Sequence, residues 1–317
     1  MSGSSRGLRL LAVGVLVLWC GVFLRMETTE KSMVRALLIQ PQTDGWTVGL
    51  LYQFPEATPD ASDAAADLRL CSAEGETLET ALHQAEKGLP QTANYRLCEY
   101  LLFGTGTTQK TLFEVEDLLQ KEPVSRLSAR IFLLETEESG EELEQAEVLL
   151  QAAKDSAAMA SRLYESGGVL LPILQLDGEG VEAAKEALLL TAEGETRLTA
   201  EETAMAGLLL ERDGEQTFTL SDGVVTLRRC VVSVEASGNH AEIVLTGQRK
   251  PGTAPVTEAQ CQELEALCIR TVQRFWESGA DLLRLREVRA LKEGSALSER
   301  TKNACPELRA DVQMLKF

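Results

Sequence analysis

One stretch decides the fold class of this chain: Leu97–Leu134, which reads LCEYLLFGTGTTQKTLFEVEDLLQKEPVSRLSARIFLL. The apolar runs at its two ends, Leu97–Gly104 and Ala129–Leu134, predict strands. Between them, Thr111–Gln120 carries leucine and valine at helical spacing. Strand, helix and strand in this order are typical of a layer in which helices cover a sheet. We therefore expect an α+β fold built of mixed α/β layers.

The residues before this stretch extend the same layer. Val34–Ile39 and Gly45–Phe54 predict the two strands of a hairpin, and Glu76–Lys87 predicts a helix. Pro55–Asp67 is rich in Pro, Ala, Asp and Ser, and it predicts an exposed loop. Residues 34–135 are therefore expected to form an N-terminal α/β domain.

The middle of the chain, residues 136–196, predicts a helical or linker region. Glu135–Glu147 holds seven glutamates and no basic residue, which is typical of the solvated start of a helix, where the helix dipole favours acidic residues. Glu141–Ser166 is rich in Ala, Leu and Glu and predicts a long helix. Leu174–Gly194 is expected to be a linker with some helical character.

The last part of the chain predicts a compact C-terminal α+β domain over residues 197–317. Strand-like segments separated by turn residues predict an antiparallel meander: Ala206–Arg212, Thr217–Leu220, Val224–Val234 and Ala241–Thr246. Helical spacing follows over Thr257–Ser278 and Asp281–Lys292. Alternating apolar residues over Leu308–Met314 predict a final strand.

The amino terminus, residues 1–26, predicts a signal or membrane anchor. Leu10–Leu24 is a run of fifteen uncharged residues with Arg6 and Arg9 ahead of it. A secretory apolar region has about 7–15 residues and a spanning helix about 20, so an export signal and a short uncleaved anchor both stay open. Because positive charge stays on the cytoplasmic side, the rest of the chain is expected on the outer face of the membrane.

Cys20, near the end of this run, is the candidate lipidation site. Trp19 precedes it, at the position where a bacterial lipobox has a small residue. Lipidation and an uncleaved or otherwise processed anchor are therefore both open. In either case we expect the body to be tethered to the extracytoplasmic face of the cytoplasmic membrane.

Composition argues against several functional classes. The formal net charge of −18 over 317 residues disfavours nucleic acid as a partner, because no basic face can release the counterions of phosphates. Two histidines, His83 and His240, and seven cysteines without a CxxC pair leave little for a metal site or a histidine triad. We therefore expect no catalytic residue, no metal and no cofactor, and the chain is not expected to be an enzyme.

A glycine-containing loop, Phe103–Thr111 (FGTGTTQKT), lies between a predicted strand and a predicted helix, which is the position of a phosphate-binding loop. A Walker loop has Gly immediately before its Lys, and here Gln109 holds that place. Gln109 also breaks the GxGxxG spacing. The loop therefore predicts a turn followed by a helix N-cap.

Several stretches of the chain form an ordered set of motifs. Gly75–Pro90, GETLETALHQAEKGLP, is similar to a GxTLxEA helix pattern. Tyr95–Glu135 is similar to a strand–helix–RDPExR–strand passage, with Arg126 on the second arginine of the pattern and Lys121 near the first. Leu198–Gly214, LTAEETAMAGLLLERDG, has the form of an "Lt-E-E-gLL" segment.

The set continues into the carboxy-terminal domain. Leu220–Glu235 is similar to a pair of strands, and Cys268–Leu285 to a helix that ends in an xxDxL turn, here at Asp281 and Leu282. In this order the stretches resemble the Ger(x)C family of spore germination proteins, the C subunits of nutrient germinant receptors. The resemblance covers nearly all of the chain.

The resemblance implies a non-catalytic, membrane-tethered subunit on the outer face of the spore inner membrane. Its partners would be A-type and B-type integral membrane subunits that sense nutrients with it. It implies three α/β or α+β domains and carries over no catalytic residue. The chain departs from the family in a shorter middle region and in Gly21, which follows Cys20 where the family has Trp-Asp.

Two other interpretations stay open. An anchored extracytoplasmic solute-binding protein would have two similar lobes around a cleft, which the antiparallel last section and the 5% aromatic content disfavour. An anchored enzyme that acts on cell-wall material would need an acid and a base in one cleft.

Overall fold

The computed structural model describes residues 31–53, 68–121, 129–136, 146–156, 161–162, 168–177, 180–210, 215–294 and 305–315. These residues form two mixed sheets and six α-helices, which confirms the mixed α/β architecture. No helix among them is long and apolar enough to cross a membrane. The predicted anchor at residues 1–26 and the predicted loop at Pro55–Asp67 lie outside the described residues.

The strands are β1 Lys31–Gln42, β2 Gly45–Gln53, β3 Leu68–Gly75, β4 Thr92–Asn94, β5 Tyr100–Phe103, β6 Arg130–Thr136, β7 Ser161–Arg162, β8 Val169–Asp177, β9 Gly180–Thr191, β10 Gly194–Leu198, β11 Glu215–Leu220, β12 Gly223–Ser237, β13 His240–Arg249 and β14 Glu307–Met314. The helices are α1 Leu78–Lys87, α2 Gln109–Lys121, α3 Ala146–Asp155, α4 Ala200–Leu209, α5 Glu258–Glu277 and α6 Leu285–Glu293.

The first sheet has ten strands in the order β10-β9-β8-β6-β5-β1-β2-β3, with β4 paired to β1 and β7 to β6. Its centre is parallel, because β1, β5, β6 and β8 all run in the same direction. The predicted hairpin is confirmed as β1 and β2, which pair antiparallel from Met33 to Gly45. Helix crossovers account for the parallel centre, since parallel neighbours need a long connection.

Helices cover both faces of the first sheet. The apolar stripes of α1 and α2, which include Leu82 and Leu112, pack on one face in a core that also holds Leu50 and Phe103. On the other face, α3 packs Leu149 against a second core and contacts β3, β8 and β9. Because those strands lie far apart in the sheet order, α3 crosses the strands and leaves the carboxyl end of β1 uncovered on its side.

The second sheet has the order β11-β12-β13-β14, with β13 and β14 parallel and the other pairs antiparallel. Its strands alternate between buried and exposed residues, as in β11, because one face packs on a core and the other meets solvent. Helix α5 supplies Leu264 and Phe275 to that core. Three of the four strands of the predicted meander are confirmed as β11, β12 and β13, and the predicted long helix and return strand are confirmed as α5 and β14.

Helix α4 joins the two sheets. It contacts β9 of the first sheet, β11 of the second sheet and α5. Leu170 and Leu189 of the first sheet are buried in the same core as Phe218 and Phe275 of the second. The two sheets therefore share apolar packing at this junction.

Three predictions for the middle and last regions are wrong. Ala206–Arg212, expected as a strand, lies largely in α4, because a short apolar run has no periodicity that separates a strand from a buried helix. Leu174–Gly194, expected as a linker with helical character, falls largely in strands β8 and β9, which extend the first sheet. Of the long helix expected at Glu141–Ser166, the described part is α3 and the two-residue strand β7.

Candidate interaction surfaces

The predicted site residue, Cys20, lies outside the described residues, so its lipidation remains a prediction. Arg126, which falls on the arginine motif, also lies outside them. The loop Phe103–Thr111 is described and forms a turn followed by a helix N-cap. Thr107 Oγ1 donates to the Gly104 carbonyl at 2.7 Å, and Thr108 Oγ1 accepts from the Thr111 N–H at 3.3 Å.

The two histidines lie far apart in the fold. His83 is exposed on α1 and its Nδ1 lies 3.0 Å from the Glu79 carbonyl oxygen. His240 begins β13 and its Nδ1 lies 3.0 Å from Glu307 Oε2. In the described part of the chain, no group of three His, Cys, Asp or Glu residues is placed to hold a metal ion.

The six described cysteines are free thiols. Burial raises the pKa of Cys230 to about 11 and the pKa of Cys268, with the Glu265 carboxylate as a smaller cause, to about 12. Cys261, about two helical turns before Cys268 on α5, is half-buried, and burial followed by nearby carboxylates raises its pKa as well. These thiols therefore stay protonated at neutral pH, which makes them poor nucleophiles.

A concave surface lies on the first sheet where α3 leaves it uncovered; we call it the sheet groove. Its volume is about 760 Å³, and its walls come from β1, β2, β3 and the turn after β3. The floor is apolar and includes Leu38 and Leu70. Gly49 makes this floor possible, because a Cβ there would lie 3.0 Å from Leu70 Cδ1 and 3.2 Å from Leu38 Cβ.

The register of the three strands arranges the side chains of the sheet groove in rows. Gln40 of β1 is opposite Thr47 of β2, and Thr47 is opposite Glu74 of β3. Beyond this polar row lie Asp44 in the hairpin turn and Glu76 after β3. The described lining residues contain three carboxylates and no basic side chain, so the groove presents negative charge above an apolar floor.

A second concave surface, the junction groove, lies where the two sheets meet. Its volume is about 540 Å³, and β8, β9, α4 and β11 line it. β11 is the outer strand of the second sheet on this side, and its exposed Thr217 and Thr219 face the groove. Charges of both signs line it, and Lys250 Nζ lies 2.7 Å from Glu215 Oε2 at its rim.

Neither groove is predicted from the sequence. The sheet groove depends on β3, which was not predicted, and the junction groove depends on β9, whose residues VEAAKEA are typical of helices. The alternation of polar and apolar residues in EQTFTL, residues 215–220, is the sequence signal that bears on the junction groove, because it indicates a strand with one exposed face.

The described residues thus define a mixed α/β protein of two sheets with two open, polar-rimmed grooves. No protein-family model and no curated protein matches the chain. A search of solved structures finds the crystal structure of the GerBC protein, at 11% sequence identity and a TM-score of 0.44. That alignment covers 92% of this chain and 100% of the GerBC chain. The similarity is distant and assigns no family.

Proposed function

We propose that this chain is a non-catalytic, membrane-tethered subunit of a spore nutrient germinant receptor, and that it acts through protein–protein contacts. Its partners would be the A-type and B-type integral membrane subunits, on the extracytoplasmic face of the spore inner membrane. The proposal is supported by the ordered resemblance to the Ger(x)C family and by the structural positions of the residues that carry it.

The observation that carries the proposal is that the motif residues begin the helices that hold the fold together. In the Lt-E-E-gLL stretch, Thr199 Oγ1 accepts from the Glu202 N–H at 3.3 Å and Glu202 Oε2 accepts from the Thr199 N–H at 2.9 Å. This capping box starts α4, the helix between the two sheets. In the GxTLxEA stretch, Thr77 Oγ1 accepts from the Thr80 N–H and starts α1.

The xxDxL turn has a comparable position. Asp281 accepts hydrogen bonds from the N–H groups of Leu285, at 2.8 Å, and Arg286, at 3.1 Å, and so begins α6. Gly279, just before it, has a φ of +81°, a backbone conformation that glycine adopts without strain. The motif residues are thus of the kind that set helix ends, so a shared order of motifs supports a shared architecture.

A deletion strain tests the proposal. Spores that lack the gene should germinate more slowly with nutrients, while vegetative growth is unchanged, and the wild-type gene should restore the rate. Unchanged germination in every nutrient tested would contradict the proposal. Cross-linking in intact spore membranes should also join the full chain to two integral membrane subunits; recovery of the chain without either would weigh against the partners.

The sheet groove favours a second candidate function, an anchored solute-binding protein. Its volume lies within the range of small-molecule sites, about 300–1,000 Å³, and Trp46 lines it beside the three carboxylates. A saturable change in tryptophan fluorescence on titration with one small cation, abolished by Glu74→Gln with Glu76→Gln, would favour this function. Glu114→Gln with Glu116→Gln, at two half-buried positions of α2 outside the groove, is the matched control of equal charge.

A further inference from the structure

We propose that one end of the first sheet is a lipid-facing surface that binds anionic headgroups. This inference rests on the membrane tether of the proposed function. The surface, which we call the basic end, lies at the amino ends of β1, β5 and β6 and at the carboxyl ends of the helices that cross between the strands. Its basic residues are Lys31, Arg35, Arg69, Lys87, Arg96, Lys121, Arg130 and Lys154.

Strand register brings half of these residues to one end of the sheet. Lys31 begins β1 and is opposite Thr92 of β4. Three positions further along β1, Val34 is opposite Tyr52 of β2, which in turn is opposite Arg69 of β3.

The next row of the sheet contains Ala36, Tyr100 and Arg130. Arg35 lies between these two rows, at the bulge of β1. Arg35 and Arg130 both act electrostatically on the Tyr100 hydroxyl, together with Glu99 and Asp155. Arg35 of β1 and Arg130 of β6 therefore lie close to the same tyrosine at this end of the sheet.

Helix direction brings lysines to the same end. Helix α1 leads back to β4, which pairs with the start of β1, and its last turn holds Lys87. Helix α2 leads from the carboxyl end of β5 back toward the start of β6, and its last turn holds Lys121. The last turn of α3 holds Lys154, next to Asp155. Lysines in these positions also meet the negative ends of the helix dipoles.

The opposite end of the sheet is acidic. The hairpin turn after β1 carries Asp44, β3 carries Glu74 just before its last residue and is followed by Glu76, and β6 and β8 end near Glu135 and Asp177. Residues 31–210 as a whole contain 31 acidic and 13 basic residues. Eight of those 13 lie at the basic end, against six described acidic residues there or within electrostatic range: Glu79, Glu86, Glu99, Glu116, Asp117 and Asp155. The basic end is thus a local excess of positive charge on a strongly negative body.

The position of the predicted anchor decides which surface the basic end faces. The apolar run ends at Leu24 and β1 begins at Lys31, so six residues lie between them. Six extended residues span at most about 20 Å. The twelve residues of β1 lead about 40 Å away to the acidic end. Because charges are screened over about 8 Å at physiological salt, the amino end of β1 lies within reach of the headgroups of an anionic membrane and the carboxyl end of β1 does not.

The test uses the full chain reconstituted in vesicles of phosphatidylcholine alone, or of phosphatidylcholine with 30% phosphatidylglycerol. A membrane-impermeant acylating reagent modifies exposed lysines, and mass spectrometry reports each one. Lys31 and Lys87 report on the basic end. Lys250, which follows β13 of the second sheet, and Lys110, at the start of α2, are internal controls. The yield of modification at every other lysine is divided by the yield at Lys250.

In anionic vesicles at low salt we expect the relative yields at Lys31 and Lys87 to fall at least fivefold and to recover at 0.5 M salt, while Lys110 is unchanged. Each basic residue near an anionic surface favours contact by about fivefold. Arg69→Gln with Arg96→Gln should therefore weaken contact by roughly 25-fold and restore both yields. Arg270→Gln with Arg274→Gln, on exposed positions of α5, removes the same charge and should leave the protection intact.

The outcomes separate this inference from the tether. If the chain washes off phosphatidylcholine vesicles, it has no anchor, and the tether of the proposed function is contradicted. In that case the lipid-facing surface is supported only if anionic vesicles still hold the chain at low salt and Lys31 is protected there. Equal yields at Lys31 and Lys87 in both lipids overturn the inference. It is also overturned if Lys110 gains the same protection, or if the Arg69 and Arg96 variant stays protected.

Discussion

Leu189→Ala tests whether the two sheets unfold as one unit. Leu189 belongs to β9 of the first sheet, is 0% exposed, and packs in the core that holds Phe218 and Phe275 of the second sheet region. The substitution leaves a cavity that both sheets line. A fully buried Leu→Ala change costs about 2–5 kcal/mol. A loss of about 3 kcal/mol lowers the Tm by roughly 6–12 °C in a domain of this size class.

Two native tryptophans report on the two sheets separately. Trp46 lies on β2 of the first sheet and Trp276 on α5 beside the second sheet. Variants of the full chain that retain one of them, with Trp19 replaced by Phe, are unfolded by heat in detergent while fluorescence is recorded. We expect coincident transitions before the Leu189 change. After it the two transitions should separate, because the packing that couples the sheets is the part that is lost.

Leu50→Ala is the matched control. Leu50 is also 0% exposed, but it packs in the core between the first sheet and α1 and α2, away from the junction. It should lower stability by a similar amount while the two transitions stay together. The reasoning is refuted if Leu189→Ala shifts the Tm by less than 2 °C, or if its two transitions remain coincident.

Three further predictions concern helix starts and a buried thiol. Thr199→Ala should destabilise the fold by about 1 kcal/mol, since it removes the acceptor for the Glu202 N–H, whereas Thr199→Ser should not; equal thermal stability of both variants would contradict the cap. Asp281→Ala removes the acceptor for the Leu285 N–H and should speed amide exchange at the start of α6, which an unchanged rate there would exclude. Burial raises the pKa of Cys268 from 9.0 to about 12, so its contribution to stability is complete below pH 9 and is lost as pH rises through about 12. The free energy of unfolding by urea should therefore fall between pH 8 and 11, and it should fall less in Cys268→Ala. The same dependence of unfolding free energy on pH in both proteins would contradict the effect of Cys268.

Elements with a strong local signal were predictable from the sequence. The helices α1, α2 and α5 place apolar residues on one stripe, and Thr77 and Thr257 stand at the caps of α1 and α5. The hairpin of β1 and β2 follows from two apolar runs around a short polar turn. In these elements local preference and tertiary packing agree, so the pattern is sufficient.

Elements whose structure depends on distant partners were not predictable. The first half of β9 is rich in Ala, Glu and Lys, which favour a helix in isolation, and it becomes a strand because β8 pairs with it. β3 lacks a continuous apolar run and is ordered by β2 on one side and α1 on its face. β3 lines the sheet groove and β9 lines the junction groove, so the positions of the two grooves could not follow from sequence periodicity.

The charge difference between the two ends of the first sheet constrains which groove a membrane-embedded partner can contact. The sheet groove opens at the carboxyl end of β1, and the basic end lies at its amino end. With the basic end on lipid, the sheet groove opens about 40 Å from the headgroups, beyond the reach of short membrane loops. The junction groove is lined by Leu170 and Pro172 near the amino end of β8, by the middle of β9, and by α4 and β11, so it lies to the side of β1. Integral membrane subunits that keep close to the bilayer would therefore meet the junction groove before the sheet groove. Charge substitutions at Lys185 or Glu201 should then disturb receptor assembly more than substitutions at Glu74 or Glu76.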